Sequence, residues 1–342
     1  MKWVITGGAG FIGCHAAERF LASGHEVILV DNLSRRGAQA NLDYLRDHGL
    51  TRFVKADVRD AQAMQRLLAD HADADAVLHL AAQVAVTTSV ADPRADFEIN
   101  ALGTLNVLEA VRLAANARPA VLYSSTNKVY GNLEHVKVVE RDGRYTYEDL
   151  PGGVDESEPL DFHSQYGCSK GAGDQYVRDY ARIYGLKTVV FRQSCIYGTR
   201  QFGIEDQGWV AWFCVAVTTG QPFTIFGDGR QIRDVLWAGD LVDLYEKALA
   251  RIDEVSGEVY NVGGGPSNTM SLLELVAKLE AAFGRKLNPP FADWRPGDQR
   301  VFVANVGKAE RALDWRPQVT TDEGVDRLIA WVRDNHHLFA GG

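Results

Sequence analysis

Seven residues near the start of the chain, Gly7-Gly8-Ala9-Gly10-Phe11-Ile12-Gly13, limit its fold more than any other segment. They follow the apolar run Lys2–Thr6 and open a helical pattern over Phe11–Ser23. Glycines between a strand and a helix permit a tight turn, close approach of the backbone to a pyrophosphate, and close packing of helix on strand. Gly8, Gly10 and Gly13 fit G-x-G-x-x-G, while Gly7, Gly10 and Gly13 fit the related G-x-x-G-x-x-G, and both registers stand. Asp31 closes the next apolar run, Glu26–Asp31. A carboxylate there accepts hydrogen bonds from adenine-ribose hydroxyls and repels a 2′-phosphate, which favours NAD over NADP. Arg35 and Arg36 follow closely and could contact a 2′-phosphate.

The same rhythm continues through the first half. Strands are expected at Lys2–Thr6, Glu26–Asp31, Arg52–Lys55, Ala76–Leu80, Ala120–Ser124 and Thr188–Arg192. Helical patterns fall between them at Phe11–Ser23, Ala61–Asp70, Phe97–Ala115 and Tyr166–Tyr184. Such alternation implies right-handed crossovers and an α/β fold, a Rossmann doubly wound parallel sheet. After Cys195 glycine and proline become more frequent. Short strands (Phe223–Phe226, Asp234–Trp237, Val259–Val262) mix with helices (Asp240–Ala250, Ser271–Phe283). The expectation is a smaller, interleaved C-terminal α/β substrate lobe. Residues 1–193 with about 234–262 would form the dinucleotide-binding part, and 194–233 with 263–342 the lobe. The acidic segment Asn132–Pro159 reads equally as a surface excursion or as a lid over the substrate.

A chain of 342 residues at 46% hydrophobic and 24% charged can bury a large core. Its net charge of −9 argues against nucleic acid as a partner, though a few arginines can still build a local anion site. Cys14, Cys168, Cys195 and Cys214 show neither paired nor metal-type spacing, so a reducing cytoplasm is expected and no metal is. No targeting pattern is read ahead of the first strand. The longest purely apolar run, Trp209–Val217, is too short for a bilayer and suits a buried helix of the lobe.

Two segments carry the chemistry. Ala120-Val121-Leu122-Tyr123 runs into Ser124-Ser125-Thr126-Asn127-Lys128-Val129-Tyr130-Gly131, a buried strand opening into a cleft with hydroxyls. Tyr166-Gly167-Cys168-Ser169-Lys170 sets a tyrosine and a lysine one helical turn apart, on one face. Oxidising a secondary alcohol needs a base for the hydroxyl proton, and a free phenol with a pKa of about 10 is a poor one at neutral pH. A lysine ammonium and a cationic nicotinamide nearby both favour the phenolate. Tyr166 is therefore the candidate acid and base. Lys170 is its pKa-lowering partner and a holder of the nicotinamide ribose, and Thr126 the donor to the reacting oxygen. His163 could reach the same cleft, though a cap or packing role is the commoner fate. Asp57-Val58 could border the adenine, and Leu80-Ala81-Ala82-Gln83 has the small side chains needed where a cofactor lies on backbone. Arg233, Arg295 and Arg300, beside tight turns, are candidates for phosphate oxygens.

These residues resemble the extended short-chain dehydrogenase/reductase family, the nucleotide-sugar epimerases and dehydratases. The resemblance runs from Thr6–Gly13 to Ala309–Trp315. Its closer segments are Asp31-Asn32-Leu33-Ser34-Arg35, Gln83–Ser89, Ser124–Gly131, Leu160–Lys170 and Asp298–Ala304. It implies bound NAD, with Phe11, Ile12, Asn32, Ser34, Arg35, Asn100 and Ser124 completing the cofactor set. Asn127 and Gln193 join Thr126 and the three arginines toward a nucleotide-diphosphate sugar. The segments are most similar to the branch that inverts C2 of a CDP-activated hexose through a 2-ketone, by removal and return of a hydride. A homodimer is implied through Phe97–Ala115 and Tyr166–Tyr184. Two departures matter. Cys195 stands where many relatives carry an asparagine on the substrate diphosphate. Asn127-Lys128 stands where the 4,6-dehydratases carry the Asp-Glu pair that expels water, which argues against dehydration. A 4-epimerase of a UDP- or GDP-sugar is the alternative. A non-catalytic dinucleotide sensor would have no reason to keep Tyr166 and Lys170.

Overall fold

The computed structural model describes residues 1–114, 118–295 and 297–339. Five strands, β1 (Lys2–Thr6), β2 (Glu26–Asp31), β3 (Arg52–Lys55), β4 (Ala76–His79) and β5 (Ala120–Thr126), join Thr188–Gln193 and Glu258–Val262 in one seven-stranded sheet. All its pairings are parallel. From one edge the order is Glu258–Val262, Thr188–Gln193, β5, β4, β1, β2, β3. The chain winds outward from β1 to β3, then crosses to β4 and winds the other way. The crevice between β1 and β4 is thus the switch point where α/β sheets bind ligands. There Thr6 donates to His79 Nδ1 (2.7 Å) and His79 Nε2 meets the Thr104 hydroxyl (3.0 Å). Burial keeps that imidazole neutral, its pKa pulled down to about 3.

The period-two alternation of each strand serves both faces. Trp3, Ile5 and Leu29 pack under α1 (Phe11–Ala22) and the helices Ala38–Asp47 and Ala238–Ala250, with Phe20 stacked on Trp3. Val4, Ile28 and Val30 pack on the opposite face under Ala61–Asp70, Gly103–Leu113 and Ser164–Tyr184. The helix expected over 97–115 is instead Pro93–Phe97, a π-helical turn at Glu98–Leu102, and Gly103–Leu113; Ala115 lies outside the described residues.

The smaller sheet joins Thr269–Ser271, Ile232–Trp237, Val301–Phe302 and Cys195–Tyr197. Helices Trp209–Thr219, Leu272–Phe283 and Thr321–Asp334 close a second core on it. Asp234–Trp237, expected to go with the dinucleotide-binding part, pairs within this smaller sheet. That strand is buried on both sides, sending Leu236 into the first core and Val235 and Trp237 into the second. An apolar run of this kind carries no pattern to say which sheet it joins. Glu258–Val262 does pair in the larger sheet.

Segment 132–159 holds a hairpin, Val138–Arg141 with Arg144–Tyr147, that the sequence reading passed over. Tyr145 donates to Asp228 (2.6 Å), Tyr147 to the Val301 carbonyl (3.0 Å), and Arg144 to Thr269 (2.8 Å). The segment straps the smaller lobe, and none of its residues lines the main cavity.

Candidate active site

A cavity of about 680 Å³ runs along the carboxyl ends of the parallel strands, walled on its far side by the smaller lobe. At one end lie the glycine turn, Phe11, Ile12, Asp31, Asn32, Ser34, Arg35, Asp57 and Val58. Leu80, Ala81, Ala82, Gln83, Ser124, Thr126, Asn127, Tyr166 and Lys170 occupy the middle, and Gln193, Arg233 and Arg295 the other end.

Gly7 has φ +68°, and a Cβ there would stand 2.7 Å from the Ala81 amide nitrogen. At Gly13 a Cβ would stand 2.6 Å from the Gly7 oxygen. Gly8 packs on the sheet side, where a Cβ would clash with Leu29 Cδ1, whereas Gly7 packs on Ala81 and Gly13 on the Gly7 oxygen. Gly10 differs from all three, because a Cβ there would meet only the Gly7 oxygen, at 3.1 Å. Its bareness leaves room on the cavity side, where a pyrophosphate over the start of α1 would lie. Asp31 accepts from the Ala9 and Leu33 amides (3.1 and 2.7 Å) with its outer lone pairs left for a ribose. Burial raises its pKa, and those amides oppose the rise. Asn32 donates to Asp57 (2.9 Å), which Arg59 clamps with two nitrogens; that clamp holds the Asp57 carboxyl far below the usual carboxylate range. The residues present fit a dinucleotide.

β5 runs two residues beyond its expected end, so Ser125 and Thr126 remain on the strand. The Tyr166 phenol is pushed up to about 12 by burial, against the pull of a hydrogen bond with Thr126. Lys170 donates to the Ser124 carbonyl, and its Nζ sits 4.3 Å from the centre of the Tyr123 ring. Burial draws its pKa down to about 7, with Asp174 and then Asp96 opposing. Asp174 is wholly buried, accepts Ser125 Oγ (2.8 Å), and is gripped by two nitrogens of Arg192 (2.9 and 3.0 Å).

A second buried cluster supports this centre. Asn100, in the π-helical turn, donates to the Gln83 carbonyl (3.0 Å), Asp96 (3.1 Å) and Ser169 (3.0 Å), while its own oxygen accepts the Gln83 amide (2.9 Å). Every polar atom of Asn100 is committed, and it does not line the cavity. Its bonds to the Gln83 amide and carbonyl shape the Gln83 loop. Ser89 accepts the Tyr166 amide (3.1 Å) at the first turn of that helix. Asp96, Asp174 and Ser89 escaped the sequence reading because they are isolated residues that only packing brings together.

At the far end Arg233 pairs with Asp298 (2.5 Å), and Arg295 lies over the Phe226 ring at 3.8 Å while donating to the Glu205 carbonyl (3.0 Å). Gln193 donates to Tyr245 (2.6 Å). Arg300 does not line the cavity; it is exposed, with its guanidinium 5.3 Å from the centre of the Tyr145 ring on the strap. Arg300 falls at a bend just ahead of the short strand Val301–Phe302 and is exposed, while its neighbours Gln299 and Val301 are buried. His163 pairs with Asp161 (2.9 Å) and is absent from the cavity wall. Lys128, passed over as a site residue, lines the cavity beside Arg233 and Asp298. Its unlikeness to the dehydratase glutamate was the available signal.

The chain belongs to the NAD dependent epimerase/dehydratase family, whose match spans residues 3–263. It is 50% identical over 97% of its length to the CDP-paratose 2-epimerase of Salmonella typhi, of which 99% is covered. Its fold is similar to that of UDP-glucose 4-epimerase from Thermotoga maritima with UDP-glucose: TM-score 0.84 and 30% identity, over 98% of this chain and 100% of that one. UDP-glucose 4-epimerase of Thermus thermophilus, solved with NAD, matches at TM-score 0.80 and 32% identity, over 98% and 100% of the two chains. Like its family the protein is an NAD-dependent enzyme of the Rossmann-like α/β class. Among the described residues no helix is long and apolar enough to cross a membrane.

Proposed function

We propose that the protein is an NAD-dependent epimerase that inverts C2 of a CDP-activated hexose or deoxyhexose. The carbon and the nucleotide rest on one observation, the 50% identity over nearly the whole chain with a CDP-paratose 2-epimerase. The cavity supports the chemistry, because Thr126, Tyr166 and Lys170 meet in its middle between the glycine turn and the arginines. Asn127-Lys128 supports epimerisation over dehydration, since neither side chain can serve as a carboxylate acid and base.

Gly7, Gly10 and Gly13 hold the NAD pyrophosphate and Asp31 the adenine ribose, with residues 1–193 and 238–262 as the dinucleotide-binding part. NAD, when bound there, would supply the redox chemistry, acceptance and return of a hydride at C2. Tyr166 takes the proton of the 2-hydroxyl and gives it back on reduction, and Thr126 donates to the same oxygen. A phenol near 12 is almost wholly protonated at neutral pH, so the Lys170 ammonium, and the positive nicotinamide when NAD is bound, would have to bring its pKa down. Turning the sugar over requires release at the ring while the nucleotide stays held by Arg233 and Arg295.

The helices Pro93–Phe97, Gly103–Leu113 and Ser164–Tyr184 carry exposed Phe97 (56% exposed), Leu113 (54%), Tyr176 (48%) and Ile183 (65%), which supports a homodimer through these helices. Sedimentation of a monomer at micromolar concentration would remove this part of the proposal. Four unpaired thiols agree with a cytoplasmic enzyme.

Proton NMR with a CDP-hexose deuterated at C2 tests the whole reading. Inversion at C2 with the label kept is the expected result. Label lost to water would replace the redox route by proton abstraction, and an unchanged C2 would overturn the carbon assignment.

A further inference from the structure

A glycosyl diphosphate places its carbons at different distances from its charge. C1 carries the phosphate and C2 is bonded to C1, whereas C4 lies across the ring. An enzyme working at C2 must therefore seat the sugar-side phosphate close to the hydroxyls that handle the reacting oxygen. Cys195, a half-buried thiol pushed up to about 12 by desolvation, offers no charge there. Arg233 already shares its charge with Asp298, and Arg295 is bound to Glu205 and Asp206 (3.2 Å).

Lys128 is two residues past Thr126 and borders the same cavity. Its ammonium reaches the Gly297 carbonyl (3.1 Å) and Gln299 Oε1 (3.4 Å), both neutral acceptors. An ammonium has three donors, so one is left over. Among the described residues no carboxylate lies within ion-pair distance of Lys128, since Asp298 is taken by Arg233. Burial pulls its pKa down to about 8, Arg233 adds to the fall and Asp298 opposes it. A half-buried cation without a counter-ion, facing a cavity, is completed by an anion.

We infer that Lys128 binds the sugar-side phosphate of the substrate and so sets C2, rather than C4, against Thr126 and Tyr166. The inference rests on the C2 reading above for the choice of carbon and on Lys128 itself for the phosphate. Charge-assisted contacts to phosphate are strong, and loss of one weakens binding roughly tenfold to a hundredfold.

Titration calorimetry of the NAD-loaded enzyme with CMP, CDP and a CDP-hexose tests it. In Lys128→Met the affinity for CDP and the CDP-hexose is expected to fall by that factor while CMP binds within about twofold of wild type. Lys128→Arg should restore part of the loss. Lys128→Gln, which keeps a donor for the Gly297 carbonyl, should lose CDP affinity as Lys128→Met does. Equal losses for CMP and CDP would show Lys128 merely bracing residues 297–299 and overturn the inference, as would no loss at all. The deuterium assay on the wild type judges the C2 reading separately. A loss confined to CDP, with no inversion at C2, would overturn the carbon choice and support the phosphate contact.

Discussion

The two ends of the cavity are built by different means. At the dinucleotide end the wall is largely backbone. Gly7, Gly10 and Gly13 act through the absence of a side chain, and Asp31 through its place at a strand terminus. At the nucleotide-sugar end the wall is side chains from distant segments: Lys128 after β5, Gln193 at another strand end, Arg233 on the smaller sheet, and Arg295 in a loop. Backbone sites are dictated locally and tolerate little change. Side-chain sites depend on how two lobes meet, and they can be rebuilt one residue at a time. One scaffold can thus serve many sugars with one cofactor.

The sharpest test falls between the ends. Tyr166→Phe should lower turnover by about a thousandfold or more while NAD stays bound, since acid–base groups contribute factors of this order. Normal turnover measured by sugar NMR would remove Tyr166 from the mechanism.

Lys170→Met should cost about a hundredfold in turnover, and it also carries a stability signature. In the NAD-free protein the folded pKa is about 7 against 10.5 for the free side chain. Between those values the unfolded chain holds the proton and the folded one does not, so this site adds stability as pH rises from 7 toward 10.5 and loses it as pH falls back. Thermal melts of wild type minus Lys170→Met should show a difference rising with pH across that window. A flat difference would contradict the buried, depressed lysine.

Two glycines separate ligand from fold. Gly10→Ala should leave the melting temperature nearly unchanged yet weaken NAD roughly tenfold, because its Cβ meets little but the ligand space. Gly13→Ala should destabilise the fold itself by about 1–3 kcal/mol, because its Cβ would stand 2.6 Å from backbone. Equal behaviour of the two variants in melts would undo the distinction.

At the side-chain end the effects are smaller. Arg233→Ala should raise the KM for the nucleotide sugar about tenfold. Arg300→Ala should change it less than about twofold, since its guanidinium lies over Tyr145 outside the cavity. A reversed order would return Arg300 to the site.

Legibility in the sequence follows the same division. The strands Lys2–Thr6, Glu26–Asp31 and Arg52–Lys55 begin and end where their apolar runs do, and the glycine turn and Asp31 stand where the spacing put them. Ser164–Tyr184 carries Tyr166 and Lys170 on one face, as a four-residue separation requires. The surroundings of Asn100 and Arg300 were not legible, because no local pattern records which way a side chain points after packing. The strap at Val138–Tyr147 was hidden because its two short strands pair only with each other, while its side chains dock on the smaller lobe. Which sheet Asp234–Trp237 would join was not legible, because both of its faces are buried.

By itself the sequence determined a parallel α/β sheet, its glycine turn, the Asp31 carboxylate at a strand end, and the Tyr166–Lys170 pair. Each is a matter of residues within a turn or a strand of one another, where spacing and backbone geometry leave few alternatives. Tertiary structure alone decided that Asp174 and Arg192 stand behind Lys170 and that Asn100 serves the Gln83 loop. It alone set Lys128 between Thr126 and Arg233 with a donor to spare. Those arrangements join residues far apart in the chain, and only the burial of two cores against one sheet brings them within hydrogen-bond reach.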